Sequence, residues 1–323
     1  MVIKIAFHTE ILDIRGSCVA IYDYAHYNET LLNNKSVIVV PISSIEQNRN
    51  DDIAVTKFMQ RFQVYFYKNK DDLERFIYDC DIFYTIKFGK NDGLISDTVK
   101  TVVHCVFEML EPHGKVYAAV SKQIAEKYNQ KVWVPHMIGL PPSKTKENLR
   151  KQLGIPDSAI VFSRYGGYDT FNIDFVYKEI EKIVNERDNI YFMFINTPIF
   201  YQHQQIKYLP KIVDNDDKNK FICTSDAHLE CSNFGQSMGL AIGEYSVNNK
   251  PIICYNGWTW NQSHFQILGD KAIKFNTAQE FYNVITTFNP KDYEDKDMNC
   301  YKDYSPEIVM ERFKDVFIDE KEI

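Results

Sequence analysis

The run Gly235-Gln236-Ser237-Met238-Gly239-Leu240-Ala241-Ile242-Gly243-Glu244 has the residue types for holding a phosphorylated ligand. Small residues let a diphosphate approach the main chain, and free N–H groups at a helix start attract its charge. Ser237, Met238, Gly239 and Leu240 would present those groups. Glu244 lies eight residues past Gln236, about two helical turns on, so both can face one pocket. A carboxylate there suits the paired hydroxyls of a ribose. The same spacing also fits a surface turn and a half-buried helix with Glu244 in solvent.

Other residues invite a chemical reading beside a structural one. Arg164 follows the apolar run Ala159–Phe162 and precedes Gly166-Gly167. A guanidinium there can stabilise charge developing on a leaving diphosphate, or pair with a surface carboxylate. His104 ends Thr101-Val102-Val103, and open α/β sheets bind ligands beyond the carboxyl ends of their strands. A lone histidine beside an apolar strand also fits a satisfied core residue. Gly16 opens a helix and can admit a phosphate or a sugar, or simply make a turn. Ser121 is a site hydroxyl or an N-cap.

The elements that must position these residues alternate. Val2–Phe7 reads as a first strand and Gly16 to about Glu29 as a helix. Strands follow at Ser36–Pro41, Phe62–Tyr67, Asp81–Thr85, Val99–Phe107 and Val116–Val120. Three prolines and a glycine break the pattern between Val134 and Ser143. Strands then resume at Ala159–Phe162, Ile190–Ile195, Ala227–Leu229, Pro251–Cys254 and Ala272–Phe275, with helices between. Ser305-Pro306-Glu307 starts a last helix reaching about Phe317. Strand–helix alternation of this kind predicts parallel, doubly wound sheets. The expected domains are 1–140, 141–304 and a terminal helix over 305–323.

The chain has 323 residues, 45% of them hydrophobic, enough to bury two cores of ordinary size. The net charge of −7 and the absence of a basic block argue against a nucleic-acid partner. No apolar run approaches the length of a membrane span, and the start has no signal-peptide layout. Seven cysteines without a C-x-x-C pair read as reduced thiols, so the expected location is the cytoplasm. The first strand–helix turn lacks G-x-G-x-x-G, which argues against a dehydrogenase. Two D-x-D triplets, Asp214-Asn215-Asp216 and Asp295-Lys296-Asp297, can in principle hold a divalent metal. Both lie in charge-rich, loop-like stretches and read as solvated, and no cysteine or histidine cluster has zinc spacing. No metal or other cofactor is expected.

The segment from Gln236 to Glu244, followed by Asn249-Lys250-Pro251-Ile252-Ile253, resembles the donor-binding segment of retaining GT-B glycosyltransferases of family four. That pattern is Glu, seven residues, Glu; here the first acid is Gln236 and the second is Glu244. The stretch Ile14-Arg15-Gly16 to Ala25 is similar to the family's glycine loop, and Arg164-Tyr165-Gly166-Gly167 to its basic turn. The resemblance implies two Rossmann-like domains facing a cleft, a nucleotide-sugar donor held mainly by the second, and an acceptor held by the first. It implies that Glu244 holds the ribose, that Ser237–Leu240 and Arg164 serve the diphosphate, and that Gln236 and His104 meet the sugar. Reaction with retention, without metal, is the family's habit. The chain departs from the pattern at Gln236, at Asp169 where a lysine is usual, and at Glu230-Cys231-Ser232 where His-x-Arg is common. Lys220 is a candidate for the missing cation. The acceptor implied is a glycan, a lipid-linked molecule or a protein, and the reading leaves room for peripheral membrane contact. A nucleotide-sugar epimerase, a nucleotide-sugar-binding module with little turnover and a plain scaffold are the other readings.

Overall fold

A computed structural model describes residues 2–257 and 261–321. The described chain separates into two compact units, 1–139 with 303–323 and 140–302. The last segment thus belongs with the first unit, and the second unit is one continuous stretch.

The first unit carries a six-stranded parallel sheet: β1 (Lys4–His8), β2 (Lys35–Pro41), β3 (Gln63–Tyr67), β4 (Ile82–Lys87), β5 (Lys100–Cys105) and β6 (Val116–Ala119). Their spatial order is β3-β2-β1-β4-β5-β6. Runs such as Ile82-Phe83-Tyr84-Thr85 are buried on both faces, as parallel strands under helices must be. Helix Gly16–Thr30 covers one face with Tyr24, Ile21 and Ala25. Leu73 and Ile77 of helix Lys70–Ile77 cover the other. The terminal helix Pro306–Phe313 completes the first face. Phe313 packs 5.1 Å from Tyr24 and 5.5 Å from Tyr84, centroid to centroid. Arg312 stacks 3.9 Å over Trp133 and donates from Nε to the Trp133 carbonyl at 2.6 Å, which pins that helix to the unit.

The second unit repeats the plan with β7 (Ile160–Arg164), β8 (Ile190–Ile195), β9 (Ile206–Leu209), β10 (Ala227–Glu230), β11 (Gly235–Gln236), β12 (Ile252–Tyr255), β13 (Asn261–Gln262) and β14 (Ala272–Phe275). Its sheet runs β14-β12-β10-β7-β8-β9, while β11 and β13 form a separate two-stranded parallel ribbon. Counted within each unit, both large sheets have the doubly wound order 3-2-1-4-5-6. No helix among the described residues is long and apolar enough to cross a membrane.

His104 lies inside the first unit's core, and this corrects the expectation that it meets a sugar. It is fully buried in β5, among Tyr24, Tyr84, His136 and Phe317. Its Nε2 lies 2.7 Å from the Val134 carbonyl, which can only accept, so Nε2 bears the proton. Nδ1 then accepts from the Tyr84 hydroxyl at 2.6 Å. Both ring nitrogens are engaged within the unit, and burial lowers the pKa from 6.5 to about 4. The sequence placed it near a strand end, but β5 stays buried on both faces through Cys105, so its last residues lie inside the core.

Burial lowers the pKa of His264 as well, from 6.5 to about 4, and that of His8 from 6.5 to about 3. The folded pKa values lie below the unfolded ones, so the unfolded chain takes up these protons first. The associated stability is whole above pH 6.5 and is lost as the pH falls toward 4. Each net proton contributes a slope of about 1.4 kcal/mol per pH unit in that window. Urea denaturation at pH 7 and pH 5 should show a markedly lower midpoint at pH 5. Equal midpoints would contradict the burial of neutral imidazoles.

Candidate functional site

In a sheet of this order the crevice lies outside the carboxyl ends of the two strands where the winding reverses. In the second unit those strands are β7 and β10. Their last residues are Arg164 and Glu230, both buried.

Arg164 is only 2% exposed. Nη1 donates to the Asn196 carbonyl at 3.1 Å and to Thr197 Oγ1 at 2.7 Å. Nη2 donates to the Gly167 carbonyl at 2.6 Å and to Thr170 Oγ1 at 2.5 Å. The guanidinium therefore ties the Gly166-Gly167 turn to the end of β8. A Cβ on Gly166 would stand 3.0 Å from Nη2, so the glycine admits this clamp. Burial pulls the pKa of Arg164 down, with Glu230 the strongest influence against it. This corrects the expectation of an arginine free to meet a diphosphate: both terminal nitrogens are engaged by the protein.

Glu230 is buried, and burial alone would push its carboxyl up. His228, His264 and Gln236 outweigh that and hold it below the usual carboxylate range. Gln236 Nε2 donates to Glu230 Oε1 at 3.0 Å. His228 Nε2 lies 3.8 Å from Glu230 Oε2, too far for a hydrogen bond. The ring nitrogens of His228 and His264 have no hydrogen-bond partner among the described residues, though both side chains are buried.

The loop after Gln236 turns at Gly239, whose φ of +76° suits glycine, and helix Leu240–Val247 follows. A Cβ at Gly239 would also stand 2.9 Å from Ile242 Cδ1, which would have to move aside, so the positive φ is the main demand for glycine. Met238 is buried, and its carbonyl accepts from the Tyr301 hydroxyl at 2.8 Å. Ser237 and Leu240 are half-buried. Glu244, one turn into the helix, is buried and doubly held. Lys218 Nζ donates to Oε1 at 2.7 Å, and the Tyr165 hydroxyl donates to Oε2. Burial and then Glu244 push the Tyr165 phenol well above its usual range, so it stays a donor. Glu244 is thus not solvated, against the surface reading that its spacing also allowed.

Lys218 is the residue that sequence reasoning missed. Lys220, one candidate for the missing cation, is paired with Glu147 at 3.5 Å and Asp217 at 4.0 Å. Lys218 lies two residues earlier on helix Asn215–Thr224 and reaches Glu244 instead. The helical period held the signal, since positions two apart on a helix face different ways. Asp214 of the first D-x-D triplet caps this helix, accepting from the N–H groups of Asp216 and Asp217. In the second triplet, Asp297 pairs with Lys302 at 2.5 Å.

The first unit has a polar cluster at its own reversal point. His8 ends β1, Lys87 ends β4, and His8 Nε2 lies 2.9 Å from the Tyr67 hydroxyl. Lys87 Nζ bonds Asp92, the Leu94 carbonyl at 3.0 Å and His113 Nε2 at 3.2 Å. Gly16 is exposed and begins its helix, as the sequence suggested, with no side-chain cap from Arg15. Ser121 Oγ accepts from the Ile124 N–H at 3.2 Å, which is the N-cap reading.

Neither protein-family models nor curated proteins gave a match to this chain. Solved structures did. A glycosyltransferase from Rickettsia africae is 12% identical, with 99% of this chain and 98% of that one covered and a TM-score of 0.72. HepE of Anabaena, solved with UDP and glucose, is 12% identical over 96% of this chain and 95% of its own, with a TM-score of 0.68. This chain has the GT-B fold. A putative UDP-N-acetylglucosamine 2-epimerase from Listeria monocytogenes also aligns, 12% identical over 100% of both chains with a TM-score of 0.63. At such identities the likeness concerns the fold alone.

Arg164→Lys tests the clamp. An ammonium cannot reproduce the fork that joins Gly167, Thr170, Asn196 and Thr197, and buried acceptors lose their donors. Chemical denaturation should show a loss of about 2–5 kcal/mol. A loss under about 0.5 kcal/mol, the range of an ordinary surface change, would contradict the clamp.

Proposed function

We propose that the protein is a glycosyltransferase that takes a sugar from a nucleotide-sugar donor. The donor is held mainly by the second unit, and the sugar passes to an acceptor held by the first. The observation that carries this reading is Glu244. A buried carboxylate stands one turn into a helix entered through left-handed Gly239, in a sheet with the nucleotide-binding strand order. A carboxylate oxygen has more than one acceptor direction, so the contacts from Lys218 and Tyr165 leave Glu244 able to take ribose hydroxyls. Lys218 then brings positive charge to the nucleotide, the part first assigned to Arg164. The main chain of Ser237–Leu240 meets the diphosphate, and Gln236 meets the sugar.

UDP is the first nucleotide to try, because HepE was solved with it. In the first unit, the cluster of His8, Tyr67 and Lys87 offers polar groups to a hydroxylated acceptor. The reaction in this reading retains the anomeric configuration and needs no metal, since a lysine and a helix start supply the positive field that a metal would otherwise give. The free cysteines suit the cytoplasm as its setting. The epimerase among the structural neighbours keeps a second reading in play, isomerisation of the donor sugar without an acceptor.

The test is a panel of UDP-, GDP-, ADP- and dTDP-sugars, assayed with and without excess EDTA for donor hydrolysis, transfer and isomerisation. The expected result is nucleotide release from one donor, unchanged by EDTA. Glu244→Ala should weaken binding of the parent nucleotide by roughly ten- to a hundredfold, the worth of hydrogen bonds to a charged group. An isomerised sugar with no nucleotide released would favour the epimerase. No binding or turnover anywhere in the panel would overturn the proposal.

A further inference from the structure

Gln236 is a neutral amide, and an amide is ambiguous: it donates from nitrogen and accepts at oxygen. In this protein the ambiguity is removed from behind. Gln236 Nε2 donates to Glu230 Oε1 at 3.0 Å, and a carboxylate can only accept. The amide nitrogen must therefore face Glu230, since the amide oxygen would meet the carboxylate with no proton between them. The carbonyl oxygen, fixed in the same plane, is left as the group Gln236 can offer to a ligand.

The main chain of Gln236 is held as firmly as its amide. It pairs with Gln262 across the β11–β13 ribbon, and Gly235 before it sits at a φ of +65°. Glu230 is anchored in turn at the end of β10, which is hydrogen-bonded to both β7 and β12. The groups around Glu230 leave it charged without replacing Gln236. His228 stands 3.8 Å away, and neither His228 nor His264 makes a hydrogen bond among the described residues. Gln236 is the side chain that donates to Oε1.

We propose that Glu230 is a positioning residue: it binds the amide nitrogen of Gln236 so that the carbonyl oxygen is presented to a hydroxyl of the donor sugar. The pair then works as one extended acceptor, with the charge buried and a neutral oxygen at the front. This favours a sugar hydroxyl as the partner and disfavours a second anion such as a sugar carboxylate. The inference rests on the nucleotide-sugar reading of the site.

The experiment compares affinity for a nucleotide sugar with affinity for its nucleoside diphosphate. Calorimetry with UDP-glucose and UDP is the first pairing, or with whichever donor of the panel binds the wild type. Glu230→Gln keeps the shape but lets either amide turn. It should keep the diphosphate affinity within about twofold and weaken the nucleotide sugar about tenfold, the loss of one oriented hydrogen bond. The reciprocal exchange, Glu230→Gln with Gln236→Glu, places an acceptor directly at the front and should recover most of that loss. A purely structural Glu230 would lower both affinities together and would not be rescued. An unchanged ratio in a folded Glu230→Gln variant would overturn the proposal, as would a reciprocal variant no better than the single one.

If the variants fail to fold, the wild type supplies the readout by NMR. The Gln236 side-chain amide should give a separated, slowly exchanging pair whose shifts move with UDP-glucose more than with UDP. A free-amide signal, or shifts equal for both ligands, would overturn it. Absence of all binding by the wild type would instead sink the nucleotide-sugar reading, a distinct outcome.

Discussion

Two opposite charges, Arg164 and Glu230, are buried at the carboxyl ends of neighbouring parallel strands, and the loops of the second unit are arranged around keeping them there. Taking either charge from water is costly unless hydrogen bonds replace the lost solvation. Arg164 finds its replacement in two carbonyls and two threonine hydroxyls. These contacts fix the Gly166-Gly167 turn and the segment after β8. Glu230 takes a hydrogen bond from Gln236, which fixes the start of the glycine-containing loop. The two strand ends that flank the crevice thus set the loops on both sides of it.

A second buried acid extends the arrangement. Glu244 lies on the helix after Gly239 and is met by Lys218 and the Tyr165 hydroxyl. Tyr165 directly follows Arg164, so the turn that the guanidinium clamps also carries a donor to Glu244. Tyr165 also lies 5.3 Å from Tyr245, centroid to centroid, and Tyr245 lies 4.3 Å from His228. Glu244, Tyr165, Tyr245, His228 and Glu230 therefore form one run of touching side chains. Adjacent members share contacts, so paired substitutions at neighbouring positions of this run should not be additive.

Most of the architecture was legible in the sequence because buried parallel strands are nearly unbroken apolar runs. Val37–Val40 and Ile190–Ile195 could be read directly. The edge strand Ile206–Leu209 was not read, being short and only half-buried outside its first residue. That Glu244 lies on a helix behind the glycine loop was legible, but Gln236 is on a short strand and the helix begins only at Leu240, so Glu244 stands one turn in and not two. The partners of charged residues were not. Arg164 followed by two glycines looks the same on paper whether the guanidinium faces a ligand or its own turn. His104 at a strand end looks the same whether it faces solvent or the core. Lys218 and Lys220 differ only in which side of a helix they occupy. Glu230 and Gln236, read separately as two departures from a pattern, are hydrogen-bonded to each other, and no linear spacing announces that contact.

The central claim is that the carboxyl edge of β7 and β10 receives a nucleotide. Hydrogen–deuterium exchange of the full chain, with and without UDP and the other nucleoside diphosphates, tests it without any substitution. Slowed exchange at Ser237–Leu240 and Tyr165–Gly167 on adding one diphosphate is the result predicted. Slowed exchange confined to the first unit, or none with any of the diphosphates, would contradict the claim.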